Sequence, residues 1–132
     1  MNVKRIAALT ALPLVASTVM IAGGSPAFAS GGGGHEASGS CSGGSTWKLK
    51  AKPDDGQMEV ELEIDSNVSG QVWNNKITDN GKKVFKGKRT TGGASGSFSF
   101  EIRVPDLAGT DNFKGKSVNK ATGETCNSAV SF

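Results

Sequence analysis

The chain has 132 residues, 15 basic against 12 acidic, a formal net charge of +3, two cysteines, one histidine and no tyrosine. That length holds one domain once an N-terminal leader is set aside. One histidine and two distant cysteines leave no zinc framework and no Ser-His-Asp centre, and neither a Gly-x-Ser-x-Gly elbow nor a phosphate-cradling glycine loop occurs.

The chain starts with the basic pair Lys4-Arg5, runs apolar from Ile6 to Ala22, and reaches the small-x-small site Ala27-Phe28-Ala29. This is the order of an export signal, with cleavage expected after Ala29. The apolar run carries Thr10 and Pro13 and is shorter than the roughly 20 residues a stable membrane span needs. Lys4-Arg5 is not a twin-arginine signal, and Cys41 lies too far beyond the run for a lipid-modified N-terminus. Residues 1–29 are therefore read as a signal peptide. The remainder is expected to be secreted and extracellular, with no membrane span after cleavage. Removing Lys4 and Arg5 leaves 13 basic residues against 12 acidic, a net charge of +1.

Residues 30–45 are rich in Ser and Gly and hold little apolar surface, so a flexible stub is expected there, pinned at Cys41. His35 lies within it, expected to be solvated and too far from Ser30 for an amino-terminal copper site. In an oxidising compartment, Cys41 and Cys126 read as one disulfide. Closing so long a loop contributes roughly 4–5 kcal/mol in the chain-entropy account.

From Thr46 the pattern turns to period two, the signature of half-buried strands. Trp47, Leu49 and Ala51 alternate with Lys48, Lys50 and Lys52, and Met58, Val60, Leu62 and Ile64 alternate with Glu59, Glu61 and Glu63, across a turn at residues 53–57. In one register Lys52 faces Glu59, Lys50 faces Glu61 and Lys48 faces Glu63, while Ala51, Leu49 and Trp47 face Val60, Leu62 and Ile64. A slip of one residue would spoil every pair. A third strand over about 71–78 carries Trp73 and Ile77, with Asn75 on the same face. Asn80-Gly81 marks a tight hairpin, and a return strand covers about 83–90. Residues 97–104 alternate Phe98, Phe100, Ile102 and Val104 with polar residues up to Pro105, and two last strands are expected over 112–119 and 125–132.

Seven short strands separated by turns predict, for residues 46–132, an all-β fold: a seven-stranded immunoglobulin-like (fibronectin III-like) antiparallel β-sandwich with one disulfide. The first, second and fifth strands would form one sheet and the third, fourth, sixth and seventh the other, with Trp73 in the core. Trp73 with Asp79-Asn80-Gly81, Ser95-Gly96-Ser97-Phe98 and Ala121-Thr122-Gly123-Glu124-Thr125-Cys126 make residues 47–132 resemble a group of small secreted actinobacterial proteins with an immunoglobulin-like β-sandwich. The resemblance implies fold and compartment and carries no activity.

No residue set points to catalysis, a cofactor or a metal. Glu59, Glu61 and Glu63 lie about 7 Å apart along a strand, within reach of an inverting glycosidase's spacing. Each faces a lysine, however, that would hold it ionised. Asp54-Asp55-Gly56 and Asp79-Asn80-Gly81 lack the alternating ligands of a calcium loop and read as turns. Charge is uneven: residues 71–90 and 112–124 hold nine basic residues against two acidic, and residues 46–65 and 97–104 hold four against seven. The expectation is a non-enzymatic secreted binding or structural module. Lys82, Lys83, Lys86, Lys88 and Arg89 would face an anionic partner such as a cell-envelope polymer. Without aromatic interleaving, specific nucleic-acid binding is not expected. A secreted protease inhibitor offering a turn as its loop, a small-molecule carrier with a cleft between the sheets, and a hydrolase using the acidic strand are the alternatives.

Overall fold

The structure is a computed structural model that describes residues 29–31 and 33–132. All but the last residue of the expected export signal lie outside the described residues. These form nine strands: β1 (Ala29–Gly31), β2 (Gly34–Ser40), β3 (Thr46–Asp54), β4 (Gln57–Asp65), β5 (Val72–Asp79), β6 (Lys82–Thr90), β7 (Ser97–Pro105), β8 (Asn112–Asn119) and β9 (Thr125–Ser131). They make a five-stranded sheet in the order β1-β2-β3-β4-β7 and a four-stranded sheet in the order β6-β5-β8-β9, antiparallel throughout. Strands β3 to β9 are the seven expected ones, divided between the sheets as expected.

Alternation fixes which side chains meet. On β3 and β4 the pairs are Trp47 with Ile64, Leu49 with Leu62 and Ala51 with Val60 on one face, and Lys48 with Glu63, Lys50 with Glu61 and Lys52 with Glu59 on the other. The apolar row continues onto β7, where Phe98, Phe100 and Ile102 sit opposite Ile64, Leu62 and Val60. From the other sheet Trp73, Ile77 and Phe113 complete one core in which they, Leu49, Leu62 and Ile64 are fully buried. Each such side chain contributes about 1.5–3 kcal/mol on leaving water. At the β5–β6 hairpin, Asn80 and Gly81 adopt φ of 51° and 87°, the left-handed pair that a two-residue turn requires.

The flexible stub expected over residues 30–45 is corrected by β2. Gly34–Ser40 pairs with β3 along its length, from His35 opposite Ala51 to Ser40 opposite Thr46. Ala37 is fully buried, and a Cβ at Gly39 would lie 2.8 Å from the Trp47 indole. A strand added to an open sheet edge gains its backbone hydrogen bonds from that edge. It therefore needs little side-chain area of its own, and small residues let it approach closely. His35 is partly buried and held in place: its Nδ1 lies 2.7 Å from the Ser131 carbonyl, to which it donates, and its ring packs 4.8 Å from that of Phe132. The strand count is accordingly nine, not seven.

Cys41 and Cys126 form the expected disulfide, with Cα atoms 4.3 Å apart. The bond joins the loop between β2 and β3 to β9, and so ties one sheet to the other. Beside it, the Glu124 carboxylate accepts hydrogen bonds from Gly43 N–H, Ser45 N–H and the Ser45 hydroxyl, each at 2.8 Å. Burial pushes Glu124 up, but these three donors outweigh it and hold its carboxyl below the usual glutamate range.

Candidate functional site

Because Trp73, Ile77 and Phe113 face inward, the residues between them face out. Asn74, Lys76 and Thr78 on β5, Lys114, Lys116 and Val118 on β8, and Lys86 and Lys88 on β6 form the outer surface of the four-stranded sheet. The register then does what no single strand could. Lys76 lies directly opposite Lys86 on one side and Lys116 on the other, so three lysines stand in a line across β6, β5 and β8. Neighbouring strands are about 4.8 Å apart, and like charges directly opposite each other destabilise a sheet. Lys83 and Lys114 flank Thr78 in the next row, and Lys88 flanks Asn74 in the row on the other side. Shallow troughs of about 420 and 440 Å³ lie on the two sides of the line.

The outer surface of the five-stranded sheet mixes both signs, with Glu61 opposite Lys50 on one side and opposite Glu101 on the other. Lys52 Nζ lies 3.5 Å from Glu59, Arg103 lies 3.7 Å from Glu59 and also pairs with Asp54, and Lys50 lies 4.0 Å from Glu36. Among the described residues, no ion pair involves Lys76, Lys86, Lys88, Lys114 or Lys116. On the acidic strand, a hydrogen bond from the Glu101 carboxyl, helped by the Lys52 and Arg103 cations, holds Glu59 below its ordinary range against burial. The same hydrogen bond pushes Glu101 up. Glu59 is thus held ionised in a cluster with two cations.

Of the five residues expected to form the contact surface, the structure places Lys83, Lys86 and Lys88 on the outer face, leaves Lys82 exposed at the hairpin end, and turns Arg89 inward. Lys82 stands in register opposite Asp79, whose side chain is buried. Arg89 shares the inward side of β6 with Phe85, and its guanidinium lies 4.6 Å over the Phe100 ring and 5.3 Å over Phe85. Its Nη1 donates to the Lys88 carbonyl at 2.8 Å. Parity explains this: Arg89 lies opposite Trp73, so it covers exposed edges of the core rings. Lys76, Lys114 and Lys116 join Lys83, Lys86 and Lys88 on the outer face. The signal for them lay in the same parity, counted outward from Trp73 and Asn80-Gly81.

No family model matches the chain, and no curated protein or solved structure is significantly similar to it.

Two groups that sequence reading treated as turn residues are buried. Asp79 and Asp111 are each 1% exposed. Burial, then the hydrogen bond and charge of Asp111, then the charge of Asp106 push the Asp79 carboxyl up to about 6. Among the described residues Asp79 Oδ1 and Asp111 Oδ2 have no other donor, so a hydrogen bond between the two carboxyls requires Asp79, the raised one, to keep a proton. Asp106 is raised by the same neighbour. Among the described residues, no three or more His, Cys, Asp or Glu side chains are grouped to hold a metal ion.

Proposed function

We propose that the protein is a secreted, non-enzymatic binding module on an immunoglobulin-like (fibronectin III-like) sandwich. It contacts an anionic polymer of the cell envelope through the outer face of its four-stranded sheet. The observation that carries this reading is the line Lys86–Lys76–Lys116 across three adjacent strands, without a carboxylate partner among the described residues. Lysines on β6 alone would be accounted for by protection of an edge strand. Lys76 and Lys116 are on strands hydrogen-bonded on both sides, where a charge protects no edge. Solubility is served as well by mixed charges, as on the opposite face. An arrangement that opposes folding and has no local use is expected where a ligand supplies the missing charge. The basic start, apolar run and Ala-x-Ala site, together with the disulfide, support export to an oxidising compartment.

Retention on an anionic resin tests the reading. The triple variant Lys76→Gln, Lys86→Gln, Lys116→Gln should elute at clearly lower salt than wild type. Lys48→Gln with Lys50→Gln, on the opposite face, removes two charges and should change elution little. Equal shifts per charge removed in the two sets would reduce the effect to net charge and remove the proposed face.

A further inference from the structure

We infer that the partner is a linear polymer of phosphodiesters joined by short aliphatic spacers, lying across the strands of the four-stranded sheet. This rests on the proposed basic face being the contact surface. The face selects by what it contains and by what it turns inward. Its cations are all lysines, since Arg89 is folded over Phe85 and Phe100. An ammonium is a compact point charge with three donors, suited to a tetrahedral oxyanion approached from several directions. The planar fork that pairs two-for-two with a carboxylate or a phosphate belongs to arginine, so the choice of phosphodiester over carboxylate rests on the spacer and not on the cation.

Among the described residues, the outer face of this sheet presents no aromatic ring: Trp73, Phe85 and Phe113 all point to the interior. Nucleobases need such rings to stack on, and the flat faces of sugar rings are held by the same contacts. A nucleic acid or a pyranose polymer would therefore find charge here but no platform.

Geometry gives the direction. The lysine line runs perpendicular to the strands, and its three positions span about 10 Å at the usual strand spacing. The trough of about 420 Å³ beside it is bounded by Lys86, Lys76 and Lys116 on one side and by the row Lys88, Asn74 and Val118 on the other, with Gly87 and Asn75 between the rows. A line of three ammonium groups facing a bank of one ammonium, one amide and apolar Val118 fits a narrow chain that alternates charged groups with hydrocarbon. A second copy of this protein does not fit. Its opposite face presents Lys48, Lys50 and Lys52 among its glutamates and brings too little net negative charge.

Titration calorimetry at fixed salt tests this, with poly(glycerol phosphate), polyglucuronate and oligo(dT) of equal charge number as probes. Poly(glycerol phosphate) should bind at least tenfold more tightly than the other two. Lys76→Gln with Lys116→Gln should weaken it at least tenfold and reduce the slope of log K against log salt by about 1.4–1.8. The Lys48→Gln, Lys50→Gln control should bind as wild type does. The lysine variant should keep or raise its melting temperature, so lost binding would not report misfolding. If polyglucuronate or oligo(dT) binds as tightly with the same lysine dependence, the phosphodiester inference fails and the basic face stands. If the lysine variant binds all three as wild type does, or if wild type binds none, both fail.

Discussion

The two outer surfaces of this sandwich solve the same problem in opposite ways. On the five-stranded sheet, lysines of β3 face glutamates of β4, with Glu36 and Arg103 joining from the neighbouring strands. On the four-stranded sheet, lysines face lysines. Between β3 and β4 a slipped register would break an ion pair as well as bury polar groups, so charge and core specify the same alignment there, although Glu61 also faces Glu101 on β7. On the second surface, charge opposes the alignment. The inner side must hold it alone, through Trp73, Ile77 and Phe113, the Asn80-Gly81 turn, and buried Asn75, whose side-chain amide donates to the Trp73 carbonyl at 3.2 Å. Repulsion that the core must overcome is what the proposed contact surface rests on.

The contrast breaks first if the two sheets can be parted. Replacing Cys41 and Cys126 by Ser removes the bond between them, and the expected loss is about 4–5 kcal/mol, read as the shift in a urea unfolding midpoint. A loss under about 1 kcal/mol would mean that β2 and the Glu124 contacts already hold the sheets together.

The buried end of the four-stranded sheet comes next. Asp79 has its carboxyl pushed up to about 6 from an ordinary value of 3.8. A folded-state pKa above the unfolded one gives stability that is complete below the unfolded pKa and lost as pH rises through the folded one. Stability from this group therefore declines between about pH 4 and pH 6. Asp79→Asn, which can still donate to Asp111, should stabilise the protein by up to about 3 kcal/mol above that window and flatten the decline. Melting temperatures measured from pH 4 to pH 7 check this, and an unchanged profile would reject the shared proton.

Glu124 carries the opposite sign. Its lowered carboxyl contributes stability above the usual glutamate range that is lost as pH falls. Glu124→Gln should cost about 2 kcal/mol at neutral pH, with the difference from wild type shrinking in acid. A constant difference across pH would assign the effect to packing instead of charge.

The smallest effects separate the two surfaces most directly. Lys50→Glu places a carboxylate opposite Glu61 and near Glu36 and should destabilise by about 0.2–1 kcal/mol. Lys76→Glu places one between Lys86 and Lys116 and should stabilise by a similar amount. Added salt should raise the melting temperature of wild type but much less that of Lys76→Glu, because screening then has less repulsion to relieve. The same sign for both substitutions would erase the distinction between the faces.

Much of this was readable before any coordinates. The pairing of Trp47 with Ile64 and of Lys52 with Glu59 follows from two alternating strands and one short turn, and Asn80-Gly81 announced its hairpin. The strand at Gly34–Ser40 was hidden because its residues offer almost no apolar area. What recruits them is the open edge of β3 and the indole of Trp47 lying over Gly39. The basic run 82–89 was visible as charge, but Arg89 turned inward to cover Phe100, a residue of the other sheet.

Side chains on a strand must alternate, because covalent geometry makes them. Local order, turn positions and the apolar faces of the strands over 46–65 and 97–104 were therefore properties of the chain itself. Which strands became neighbours was not. Lys76 meets Lys86 through a local hairpin but meets Lys116 only because β8, some forty residues later in the chain, packs on the other flank of β5. The burial of Asp79 against Asp111 depends on the same long-range closure. Such contacts rest on the energy of the whole core, which no stretch of residues carries alone, and so the line of lysines exists only in the folded protein.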